Sequence, residues 1–138
     1  MQVLKEYNLK NGLVLKLIDK TYRYFGEYFF IELEAVCEIP SSLLDIDKLP
    51  EEFIPLIPEK LTFKKSLSKK GVYETQLEDE KRFLIENFEK NSLPYLNSES
   101  FPYKFYEKEL KNIKRKKEIE ELRRKLSERE DTPNFQHF

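Results

Sequence analysis

Tryptophan is absent from this chain of 138 residues, and alanine, cysteine, histidine and methionine each occur once, as Ala35, Cys37, His137 and Met1. A lone cysteine excludes an intramolecular disulfide and fits a reducing compartment. With one cysteine and one histidine, no Cys/His cluster can hold a structural zinc. Only three glycines are present, and Gly12, Gly26 and Gly71 are scattered, so no glycine-rich loop is available to cradle a phosphate. No apolar run approaches the roughly 18 residues that a membrane span needs. The first residues, Met1 to Glu6, contain no apolar core of a signal peptide. These features lead us to expect a soluble cytoplasmic protein.

Hydrophobic residues make up 39% of the chain and aromatic ones 14%, enough for a folded core despite 37% charged residues. The length is that of about one domain. The formal net charge is −1, so there is no global pull toward nucleic acid or an acidic membrane surface. The charge is unevenly placed. From Lys104 onward there are 11 basic and 8 acidic residues, against 14 and 18 before it.

Alternation marks the first forty residues as strands. Val3, Tyr7 and Leu9, then Leu13, Leu15 and Leu17, then Phe29, Ile31, Leu33, Ala35, Cys37 and Ile39 are all apolar at odd positions. Glu32, Glu34 and Glu38 occupy even ones. This period of two places one face in a core and the other in water. Odd must then face odd across each hairpin, because a one-residue slip inverts every side chain. A three-residue loop Lys10-Asn11-Gly12, pairing Leu9 with Leu13, satisfies this and puts Gly12 in the left-handed position. By the same argument the turn around Phe25-Gly26-Glu27 should have three or five residues. In the five-residue version Lys20 faces Glu34 and Lys16 faces Glu38. Leu61, Phe63 and Leu67 alternate again, giving a fourth strand that ends near Lys69-Lys70-Gly71.

Between these strands Pro40 to Pro58 reads as a proline-rich connection with one short helical turn near Leu49–Phe53. Thr75-Gln76-Leu77-Glu78 has the spacing of a capping box. The helix it would start carries Leu77, Leu84, Ile85 and Phe88 on one side, which should cover the odd face of the sheet. Asn91 to Pro102 reads as a linker. A second helix is expected from about Tyr103 to Arg129, with a broken stripe. Tyr106, Leu110 and Ile113 share one face, whereas Ile119, Leu122 and Leu126 lie nearly opposite. The expected fold is α+β. It has an antiparallel sheet of four or more strands, one amphipathic helix packed on it and a long charged C-terminal helix; a small β-barrel with appended helices is the alternative. The domains would be 1–102 and 103–138.

Asn11-Gly12-Leu13-Val14-Leu15, then Asp19-Lys20-Thr21, then Gly26-Glu27 is similar to short bacterial proteins of unknown function, in which an NGL strand precedes a D-S/T pair and a Gly-acidic turn. The likeness covers the first third of the chain and implies a small bacterial domain without bringing an activity. Asp19-x-Thr21 with Gly26 also resembles the D/N-x-S-x-x-G motif of PilZ domains, which bind cyclic di-GMP. Here Tyr24 stands where that motif has its glycine, and no RxxxR pair precedes it.

Candidate chemistry is sparse. Cys37 lies on the apolar face and reads as core. His137 is a tail residue, a poor base without a third group to hold it. Glu32, Glu34 and Glu38 read as a solvated charge ladder. Asp45 and Asp47 are too few for a calcium site. Lys111, Lys114, Arg115, Lys116 and Lys117 could neutralise phosphates, with Tyr103, Phe105 and Tyr106 nearby to stack on bases. Ile119, Leu122 and Leu126 could dock a partner. We therefore expect no catalytic residue, metal or cofactor. The expected function is an interaction module that docks a protein partner, or itself, through its C-terminal helix. A nucleic-acid or nucleotide-binding domain is the alternative.

Overall fold

The computed structural model describes residues 2–130, with side chains through Glu128. The chain is α+β with an open antiparallel sheet, so the barrel alternative is not realised. Its strands are β1 (Gln2–Asn8), β2 (Val14–Asp19), β3 (Tyr22–Phe25), β4 (Tyr28–Pro40) and β5 (Lys60–Tyr73). The helices are α1 (Leu77–Asn91), α2 (Leu93–Leu96) and α3 (Phe101–Glu130). No described helix is long and apolar enough to cross a membrane.

Two compact units are present. The first comprises Met1–Leu44 and Pro58–Pro102, and the second combines Asp45–Ile57 with the chain from Tyr103. In the first unit β1 pairs with β2, β2 and β3 share one edge of β4, and β5 takes the other edge. The odd positions form the core. Leu15, Leu17, Ile31, Leu33, Ala35 and Ile39 are completely buried, and Cys37 nearly so. Burying each large apolar side chain contributes about 1.5–3 kcal/mol, so this single row accounts for much of the drive to fold.

Register follows parity except at irregularities in three strand pairs, and the one between Val3 and Lys5 sets Val3 opposite Ile18 and leaves it exposed, against the odd-face expectation. The β1–β2 hairpin has the expected three-residue loop. The Leu9 amide donates to the Leu13 carbonyl at 2.8 Å, and Gly12 has a φ of +88°. The next turn departs from expectation, since Phe25 pairs with Tyr28 across only Gly26 and Glu27. Gly26 takes the first central position with a φ of +54° while Glu27 keeps a negative φ, as a type II′ turn requires. A bulge between Arg23 and Phe25 absorbs the parity difference, and Tyr22 still meets Phe30. Lys16 accordingly lies opposite Val36 rather than Glu38. Lys20 reaches Glu34 diagonally at 3.1 Å, and Glu38 pairs with Lys60 at 3.5 Å.

The expected long second strand is cut at Lys20-Thr21. Asp19 Oδ1 accepts the Thr21 amide at 2.9 Å, and Thr21 Oγ1 accepts the Glu32 amide at 3.3 Å. These side-chain bonds offer the backbone an alternative to the ladder, which separates β2 from β3. β5 runs past Gly71 to Tyr73, because an extra residue opposite Phe30 lets Val72 return to the core beside Phe29.

Helix α1 covers the odd face as expected, with Phe88 buried and its ring 6.4 Å from that of Tyr7. Three ion pairs tie it to the sheet: Lys5–Glu89 at 2.7 Å, Lys69–Glu80 at 2.8 Å and Lys81–Asp19 at 2.9 Å. No capping box forms. A 3-10 turn at Glu74–Gln76 feeds the helix, and Gln76 at the N-cap makes no side-chain bond. Nor is Asn91 to Pro102 a plain linker. It contains α2, buries Leu96 and Phe101, and sets the Phe101 ring 5.5 Å from Phe63 and 5.3 Å from Tyr95.

In the second unit, the 3-10 turns Ile46–Lys48 and Glu51–Leu56 join α3. Leu49, Phe53, Tyr106 and Leu110 are buried among its described residues. The Asp45 amide donates to the Tyr103 hydroxyl at 3.0 Å, Lys48 lies 5.4 Å from the Tyr103 ring centroid, and Lys114 bonds Glu52 at 2.9 Å.

Candidate functional site

Helix α3 changes character near its middle. Tyr106 and Leu110 are fully buried and Ile113 is half-buried. From Arg115 through Glu128 every side chain is exposed. That stretch is about 21 Å of helix with no buried face. Lysine, arginine, glutamate and leucine are good helix formers, so propensity favours this conformation. Isolated helices of this length are nonetheless marginal in water, and most helices in proteins draw stability from a packed apolar face.

An apolar face is left exposed here among the described residues. Ile119, Leu122 and Leu126 are 40%, 59% and 54% exposed. Their spacing of three and four residues places them on one side of the helix. The outer side is laced within the chain, Glu121 lying 3.7 Å from Arg124 and 3.9 Å from Lys125.

The basic segment is less free than its sequence suggests. Lys114 is bonded to Glu52, and that hydrogen bond raises its pKa. Lys111 pairs with Glu107 at 3.4 Å, while Arg115, Lys116 and Lys117 are exposed. The stacking half of the phosphate-and-base reading fails at Tyr106, which is fully buried, and Tyr103 is engaged by Asp45 and Lys48.

The remaining candidates are occupied by the fold. Glu32 accepts from Ser66, while Glu34 and Glu38 hold lysines. Asp45 Oδ1 caps its own 3-10 turn through the Asp47 amide at 3.1 Å. Cys37 is buried, and desolvation, reinforced by Glu38, pushes its thiol up to about 11. Asp19, the acidic residue of the PilZ-like motif, sits beside Thr21 and Lys81. Burial works against its charge, but those hydrogen bonds prevail and hold it below the usual carboxylate range. His137 lies outside the described residues.

One surface had no counterpart in the sequence reading. At the β3–β4 end of the sheet, Tyr22, Tyr24, Phe25 and Tyr28 are all exposed, with Phe25 the most so at 72%. Tyr22 stacks on Phe30 at 5.3 Å, and Lys70 lies 6.0 Å from the Phe30 ring centroid. With Tyr24 these residues line an open recess of about 460 Å³.

No protein-family model, curated protein or solved structure matches this chain.

Proposed function

We propose that this chain is a non-enzymatic interaction module, and that the far half of α3 is its docking element through Ile119, Leu122 and Leu126. The observation that carries this reading is one apolar face left exposed along a helix whose near half is buried. Docking would remove the exposed part of these three side chains from water, at about 0.8 kcal/mol per CH₂ when burial is complete. The free, buried Cys37 fits a reducing compartment, and we place the module in the cytoplasm. Phosphate binding by Lys111, Lys114, Arg115, Lys116 and Lys117 has less support. Two of these five cations hold carboxylates within the chain, and Tyr106 cannot reach a base.

A photo-crosslinking residue tests the reading when placed at Leu122, and in a control at Arg124, in cells of the native host. Adducts at 122 that are absent at 124 are expected. Equal or no adducts at the two positions would contradict a docking face.

A further inference from the structure

The occupant of this face can be named from the charges that flank it, an inference that rests on the docking reading above. With Ile119 at heptad position a, Leu122 falls at d and Leu126 at the next a. A β-branched residue at a with leucine at d favours two parallel strands. Glu118 then takes g and Arg123 takes e. In a parallel pair each g residue faces the following e residue of the other helix, so Glu118 meets Arg123 of the second copy, twice by symmetry.

The structure leaves these two positions in reserve. Glu121 pairs with both Arg124 and Lys125 within the chain. Glu118 and Arg123 are exposed and neither forms an ion pair with any described residue, although the charge of Glu118 contributes to the raised pKa of Lys114. Opposite charges, neither in an ion pair with a described residue, therefore stand on the two borders of an apolar seam that is exposed among the described residues. We propose that the partner is a second copy of this chain, joined through residues 118–126 as a parallel two-stranded coil.

The same logic sets the limits of the seam. Upstream, Arg115 would occupy d, and Lys111 at g would face Lys116 at e of the other copy. Extension in that direction is repulsive, so the coil starts at Glu118. An antiparallel pair that matched Leu122 with Leu126 would set Arg123 against Arg123 and Lys125 against Lys125, which disfavours it. Two turns of seam must also offset the loss of translational and rotational freedom. A reversible dimer follows, with a dissociation constant between about 1 µM and about 1 mM.

Sedimentation equilibrium of the full chain across that range tests the proposal. The wild type should show a monomer–dimer equilibrium, and Leu122→Lys should weaken it by about ten-fold or more. Glu118→Arg and Arg123→Glu should each weaken it by about five-fold or more, since each replaces two attractions with two repulsions. The double variant E118R/R123E should return to within about two-fold of wild type. All three positions are exposed, and circular dichroism checks that each variant folds. A dimer that the double variant fails to restore overturns the parallel register. A wild type that stays monomeric overturns the second copy as partner. In that case crosslinks from position 122 to a different protein would leave the docking face standing, whereas their absence would remove both readings.

Discussion

Individual side chains in this molecule are spent on structure where their type alone suggests chemistry. Asp19 and Lys81 are only 13% and 15% exposed and lie 2.9 Å apart, so the pair is largely withdrawn from water. Asp19 has a lowered pKa in the folded chain. Its contribution to stability is therefore complete above the unfolded value of about 3.9 and is lost as pH falls through the lower folded value. Asp19→Asn should cost about 1–3 kcal/mol at neutral pH and flatten the acid limb of the stability curve below about pH 4, as read by urea titrations across pH. Equal acid sensitivity in the variant would remove Asp19 from this role. Cys37, with its thiol raised to about 11, should resist alkylation at pH 8 in the native protein and react on unfolding. Quantifying label by mass spectrometry checks this, and rapid native labelling would contradict the burial.

Elements show which parts of the fold the residues announced. Rows of apolar side chains at odd positions made β1, β2 and β4 legible, because a period of two on one buried face permits a single register. The same parity argument mis-sized the β3–β4 turn, because the Arg23/Phe25 bulge changes parity without moving Tyr22 from Phe30. That bulge and the Asp19–Thr21 break leave no periodic trace, which is why the exposed cluster around Tyr22, Tyr24 and Phe25 was unreadable beforehand. The change of face along α3 was readable, since a phase change between Leu110 and Ile119 appears directly in the 3.6-residue period. Leucines in the two halves of α3 should then behave differently. Leu110→Ala should cost about 2–5 kcal/mol, whereas Leu122→Ala in dilute protein should stay within about 0.5 kcal/mol of wild type. Denaturant unfolding of both variants decides it, and a large cost at 122 would place that side chain in a core of the single chain.

At the scale of the whole molecule, charge separates the two functional classes. Basic residues are in excess from Lys104 onward, but the local surplus is only 11 against 8, and part of it is neutralised by Glu52. Neutralising several phosphates is what gives nucleic-acid binding its affinity and its steep salt dependence. A labelled single-stranded oligonucleotide should accordingly show no saturable anisotropy change at about 0.15 M salt. Tight binding that falls steeply with salt would favour Arg115, Lys116 and Lys117 as a phosphate site instead.

The central claim is that the far half of α3 is exposed among the described residues, as the proposed docking role requires. Amide hydrogen exchange of dilute purified protein, resolved along α3, tests it most directly. The account predicts strong protection around Tyr106 and Leu110 and weak protection from Arg115 to Glu128, rising in that stretch alone as the protein is concentrated. Equal protection of both halves in dilute protein would show that Ile119, Leu122 and Leu126 are already packed, and would contradict the account.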